Sequence, residues 1–101
     1  MIVVTENTGK IIIEGHAGYA PHGQDIVCAA VSALTQVFIA SVSKLTTDNI
    51  NASTAAGKAV IEYGTLTEGA QLLLRSFFLG VQMIAEEYPN NVKIVQAWKT
   101  K

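Results

Sequence analysis

The residues of this chain best suited to chemistry lie close together near its start: His16, His22, Asp25, Cys28 and Ser32. Cys28 is the single cysteine, and it follows His16 after eleven intervening residues. A thiol is a weak nucleophile until it ionises, and a free cysteine does so only near pH ~8.5. A helix beginning after Asp25 would place Cys28 in its first turn. There, unpaired N–H groups and the helix dipole favour a thiolate. The imidazole of His16 can take the thiol proton and hold it. The first-turn N–H groups are also suited to hold the oxyanion of a tetrahedral intermediate. Ala29 and Ala30 are small and leave room for a substrate carbonyl. The chemistry that this pattern points to is acyl transfer through a cysteine nucleophile.

Each residue also has a plainer reading. A lone cysteine in an apolar helix is commonly a small buried hydrophobe. His16 on its own reads as an exposed loop residue. His22, between Pro21 and Gly23, reads as solvated and ranks below His16 as a candidate base. Asp25 is first a helix N-cap, with orientation of the base as a further role. Ser32 lies one turn beyond Cys28 on the same helix face, where its hydroxyl serves either the site or a backbone carbonyl. A metal site built from His16, His22, Asp25 and Cys28 is disfavoured. Their spacing matches no standard zinc pattern, and structural zinc sites favour paired cysteines. Gly15, Gly18 and Gly23 match neither dinucleotide-binding nor Walker spacing. Their expected part is to let the segment close over a bound substrate. No cofactor is expected.

The elements that must position these residues follow from the pattern on either side. Ile2-Val3-Val4 and Lys10-Ile11-Ile12-Ile13-Glu14 read as a hairpin around turn chemistry at Glu6-Asn7-Thr8-Gly9. Residues 15–25 hold too many backbone breakers for regular structure. A helix is expected from Asp25 to about Lys44, with Val31, Leu34, Thr35, Phe38 and Val42 facing the core. A weak strand at Asn49 to Thr54 turns at Ala56-Gly57 into a stronger one, Lys58 to Tyr63. A second helix starts at Thr67-Glu68 and stops at Pro89, with Leu73, Phe77, Val81 and Ile84 as one stripe, widened by Leu74, Phe78 and Met83. Gly80 within it costs about 1 kcal/mol against alanine and so suggests close packing. Val92 to Trp98 alternates as a last strand, and Lys99 and Lys101 form a solvated end. The expected fold is α+β: one small mixed β-sheet of about four to five strands with two main helices packed against it.

The 101 residues make a single domain, 1–101. Half of them are hydrophobic and only 15% are charged. In so small a chain that balance suggests apolar surface buried between subunits, hence a homodimer. The net charge is −1, and Lys10, Lys44, Lys58 and Arg75 are scattered singly. Direct nucleic-acid binding through phosphate neutralisation is therefore not expected. Residues 26–43 carry no formal charge, but Ser32, Thr35, Gln36, Ser41 and Ser43 interrupt them. A transmembrane helix wants about 20 mostly apolar residues. A buried helix covered by the sheet and a partner subunit is the better reading, with no membrane. One cysteine permits no intrachain disulfide, and the N-terminus lacks a basic n-region and a cleavage site. A reducing, cytoplasmic setting is expected.

Gly15-His16-Ala17, followed by Asp25-Ile26-Val27-Cys28-Ala29-Ala30-Val31-Ser32, closely resembles the signature of the bacterial ribosomal-processing cysteine protease family Prp. The His-to-Cys separation agrees, and the resemblance extends over the whole chain in length and order of elements. It implies a cysteine endopeptidase that removes the N-terminal extension of large-subunit ribosomal protein twenty-seven, cutting after a hydrophobic, aromatic-containing stretch. It implies that His16 and Cys28 are the catalytic pair and that Asp25 matches the family's aspartate. It also implies a substrate-ordered loop between them and a homodimer. Two other classes remain. A dimeric ribosome-assembly binding module would tolerate loss of the thiol. A cysteine acyl hydrolase acting on small molecules would prefer small esters or amides to peptides.

Overall fold

The computed structural model describes residues 1–21 and 23–96. Among these, the chain forms two helices and one five-stranded sheet. In chain order they are β1 (Ile2–Asn7), β2 (Lys10–Glu14), α1 (Ile26–Leu45), β3 (Asn51–Ala55), β4 (Lys58–Glu62), α2 (Glu68–Glu87) and β5 (Val92–Gln96). The spatial order is β3-β4-β2-β1-β5. Only β1 and β5 run parallel; the other neighbours are antiparallel. This is the mixed α+β sheet with two helices that the alternating and helical periodicities call for.

Alternation decides which face of the sheet is covered. Ile2, Val4, Ile11, Ile13, Ala59, Ile61 and Val92 are buried and join Val27, Val31, Phe38, Val42, Phe77 and Val81 of the helices in one core. The two helices meet through Phe38 and Phe77, whose ring centroids lie 5.4 Å apart. Gly80 makes their approach possible, because a Cβ there would sit 3.0 Å from Leu34 Cδ1. β3, with the polar and small sequence NASTA, forms one edge and is exposed along its length. It projects from the covered part of the sheet, and a cleft opens between it and α1.

Several details differ from expectation. β1 continues through Glu6 and Asn7, so the turn narrows to Thr8 and Gly9. Glu6 points inward and is buried, where it accepts a hydrogen bond from Gln96 Nε2 at 2.9 Å. Leu34 is only partly buried, whereas Val27 is fully so. On α2 the expected stripe holds at Phe77 and Val81, but Met83 faces solvent. That helix is apolar on more than one side, and contact with α1 selects the side that is buried. α1 is long and apolar enough by composition to cross a membrane. In the fold its Val27, Val31, Thr35, Phe38 and Val42 pack inward. The last strand is described to Gln96; Ala97, Trp98, Lys99 and Lys101 lie outside the described residues, as does His22.

Phe77 is 3% exposed and lies between Phe38 and Phe78. Phe77→Ala should cost about 3–5 kcal/mol, read as a lower urea midpoint with an unchanged slope.

Candidate active site

The site is built on the N-terminus of α1. Asp25, in extended conformation, is its N-cap. Oδ1 accepts hydrogen bonds from the Val27 N–H at 3.0 Å and the Cys28 N–H at 2.9 Å. Oδ2 accepts from the Tyr19 N–H at 3.0 Å and the Ala20 N–H at 3.4 Å. One carboxylate thus fastens the preceding loop to the first turn of the helix. The Cys28 amide is the main cause of a lowered Asp25 pKa. Partial desolvation opposes it, and the Tyr19, Ala20 and Val27 amides add to it.

Cys28 therefore falls in the first helical turn, as a half-buried free thiol. The Ala17 N–H donates to its Sγ at 3.2 Å. Ala17 is buried, and its carbonyl accepts a hydrogen bond from Asn91 Nδ2 at 2.9 Å. The backbone donor facing the sulfur is thus held from the start of β5. Tyr19, two residues on, stacks edge-on against Tyr88 at the end of α2, with centroids 5.3 Å apart.

His16 follows the end of β2 and is exposed. Gly15 before it has φ +101°, and any Cβ there would drive into the Met1 carbonyl. The position therefore demands glycine on both conformational and steric grounds. The Gly15 N–H donates to the Gly57 carbonyl at 2.9 Å. The ring of His16 rests on the same residue: a Cβ on Gly57 would lie 3.0 Å from Nε2 and 3.3 Å from Cε1.

His16 and Cys28 line one cleft of ≈ 280 Å³, floored by Ile13, Thr54 and Ala59 and walled by Val31, Ser32, Thr35 and Gln36 of α1. They also share a second hollow with Gly18, Gly23, Asp25, Ala29 and Ser32. The structure thus gathers His16, Cys28, Ser32 and Asp25 around two adjoining openings. It does not join the pair directly, since His16 makes no hydrogen bond among the described residues. Asp25 does not orient the imidazole either: its two oxygens serve four backbone amides. Those bonds also change the expected oxyanion donors. The Val27 and Cys28 amides are already engaged with Asp25, and the Ala29 amide donates to the Asp25 carbonyl. The Ala17 N–H is the backbone donor that faces the sulfur. Gly18 and Gly23 both take positive φ, with open space around them. Among the described residues no three His, Cys, Asp or Glu side chains come together as a metal site.

A family model described as cysteine protease Prp matches residues 1–93. This chain belongs to the Prp family of cysteine proteases. The ribosomal processing cysteine protease Prp of Staphylococcus aureus (strain Mu50 / ATCC 700699) is 32% identical over 98 residues, spanning 91% of this chain and 92% of the relative. A crystal structure of S. aureus Prp with a covalently linked product peptide superposes with a TM-score of 0.89 at 30% identity, covering 95% of this chain and 99% of that one. A second S. aureus Prp structure, with a substrate peptide, gives a TM-score of 0.75 at 26% identity, covering 94% and 96%. A Streptococcus mutans protein gives 0.74 at 29% identity, covering 94% and 92%.

The cap carries a prediction with a defined sign. Because folding makes Asp25 more acidic, the unfolded chain binds its proton more readily. The stabilisation is complete above the unfolded value, near pH ~4, and is lost as pH falls through the lower folded value. Asp25→Asn retains one acceptor oxygen and loses the other. It should lower the urea midpoint at pH 7 and remove this component of the acid sensitivity, measured between neutral and acid pH.

Proposed function

We propose that this chain is an endopeptidase in which Cys28 is the nucleophile and His16 its general base. The observation that carries the reading is positional. A member of a cysteine protease family has a single cysteine, and that cysteine opens a helix inside a cleft shared with His16. His16 takes the proton from the Cys28 thiol. The thiolate sulfur bonds to the scissile carbonyl carbon, and the carbonyl electrons move to oxygen. The Ala17 N–H, already directed at the sulfur, is the nearest donor for that charge. When the intermediate collapses, the C–N bond breaks and His16 protonates the leaving amine. Water, deprotonated by His16, then hydrolyses the thioester and restores the thiol.

The substrate in this reading is the N-terminal extension of large-subunit ribosomal protein twenty-seven. Two observations support it: the relatives are named for ribosomal processing, and their structures hold peptides. The cleft is open and includes Ile2, Ile13, Val31 and Ala59 in its lining, as a site for a hydrophobic peptide stretch would. Such work belongs in the cytoplasm, where ribosomes assemble and a free thiol persists. The chain also acts as a homodimer in this reading. Val37, Leu72, Leu79 and Met83 of the two helices are 61%, 59%, 60% and 63% exposed, more apolar surface than a small monomer comfortably leaves in water. Sedimentation should give twice the 10.8 kDa chain mass; a mass equal to one chain at micromolar concentration would contradict the dimer.

Incubation with the extended ribosomal protein, read by mass spectrometry, tests the activity. Wild type should remove the extension in a single cut after its hydrophobic stretch. Cys28→Ala should abolish cleavage, and His16→Ala should slow it on the order of 10²–10⁴-fold. Cleavage that survives Cys28→Ala would overturn the nucleophile. Turnover of small esters with the extension left intact would favour a small-molecule acyl hydrolase.

A further inference from the structure

The general base is held in place by an element far from it in sequence. We infer that Gly57, in the turn between β3 and β4, is a positioning residue for His16. The inference rests on the reading of His16 as the base of Cys28.

Two separate contacts converge on this one glycine. Its carbonyl accepts the Gly15 N–H, which fixes the backbone immediately before His16. Its Cα face receives the imidazole itself, at a separation that any side chain would close. His16 has no hydrogen bond among the described residues, so no polar partner orients its ring. Its contact on one side is the hairpin turn at Gly57, and on the other it faces the cleft that contains Cys28. A Cβ at position 57 would stand 3.0 Å from Nε2, tighter than ordinary contact, and would push the ring away from its present seat. The turn lies at the end of the sheet's edge hairpin. β3 is its edge strand and exposed throughout, and such elements open most easily. The seat of the base thus depends on the β3–β4 hairpin staying closed against Gly15.

Glycine at 57 also has a conformational reason, since its φ is +73°. The two causes are separable within this molecule. Gly9, in the β1–β2 turn, has φ +77° and the same place after a residue of negative φ, in a turn of the same length. A Cβ there would meet only the Tyr63 carbonyl oxygen, at 3.0 Å. Gly9 is therefore an internal control for the general cost of a side chain in such a turn. Asparagine tolerates positive φ better than alanine, so Gly57→Asn relieves the backbone cost while keeping the collision with the ring.

The test uses Gly57→Ala, Gly57→Asn, Gly9→Ala and Gly9→Asn, each with His16 intact and with His16→Ala. The readout is the rate of Cys28 alkylation by iodoacetamide against pH, which needs no substrate, together with kcat/KM on the extended ribosomal protein. Both Gly57 variants should alkylate more slowly than wild type near pH 7, toward the rate of His16→Ala. Neither should slow further in the His16→Ala background. kcat/KM should fall as well, by less than the roughly 10²-fold of a ~1 Å misplacement, because the collision calls for a shift of only a few tenths of an ångström. The Gly9 variants should keep wild-type alkylation. Gly57 variants that alkylate at the wild-type rate, or that slow equally in both backgrounds, would overturn the inference and leave the base assignment standing. If both Gly57 variants fail to fold while the Gly9 variants fold, the role is structural and the inference falls. Alkylation unchanged by His16→Ala itself would remove the base assignment, and this inference with it.

Discussion

The Asp25 carboxylate is the constraint on which the rest of the site depends. A helix N-terminus presents N–H groups with no partner inside the helix. Here one side chain satisfies two of them at Val27 and Cys28, and with its other oxygen binds Tyr19 and Ala20. The consequence is geometric. The loop is drawn across the start of α1, and Ala17 is brought to the sulfur of Cys28. Asn91 and Tyr88 then hold that loop from the far side of the fold. The aspartate in this arrangement shapes the environment of the thiol without contacting the base.

Cys28 and His16, the nucleophile and base in the proposed reading, are supported by different parts of the structure. Cys28 belongs to a helix that packs one face into the core, and its position is set by Asp25 and the packing of Val27 and Val31. His16 belongs to the end of β2, held by Gly15 against Met1 and by the tip of an exposed hairpin. The cleft lies along the seam between these two supports. A peptide entering that seam meets the rigid helix on one wall and small residues of β3 and β4 on the other. In the proposed roles, the helix carries the nucleophile and the β3–β4 turn seats the base.

The placement of Cys28 and His16 was legible in the sequence because it is local. A capping residue three positions before a cysteine puts the thiol in the first turn, and a histidine after a β-branched run ends a strand. What escaped was contact across long separations. Nothing near Asn91 indicates that its amide grips the Ala17 carbonyl, 74 positions away. Gly57 reads as a turn glycine and no more, yet its second function lies in what rests on it. The parallel pairing of β1 with β5 likewise joins the two ends of the chain, and no periodicity reports it. On α2, Leu72, Leu79 and Met83 are as apolar as the residues that are buried, so only contact with α1 decides which of them face inward. Glu6 differs from expectation for a similar reason: its polarity suggests a turn, but a partner on the last strand lets it sit buried within β1.

The claim at the centre is that peptide cleavage proceeds through a covalent bond to Cys28. Rapid acid quench during turnover of the extended ribosomal protein, followed by mass spectrometry of the intact chain and its peptides, tests it most directly. The expected result is a transient thioester: an adduct of the mass of the released extension, less water, located on Cys28. Cleavage under the same conditions with no adduct at any time, or with an adduct on another residue, would contradict it.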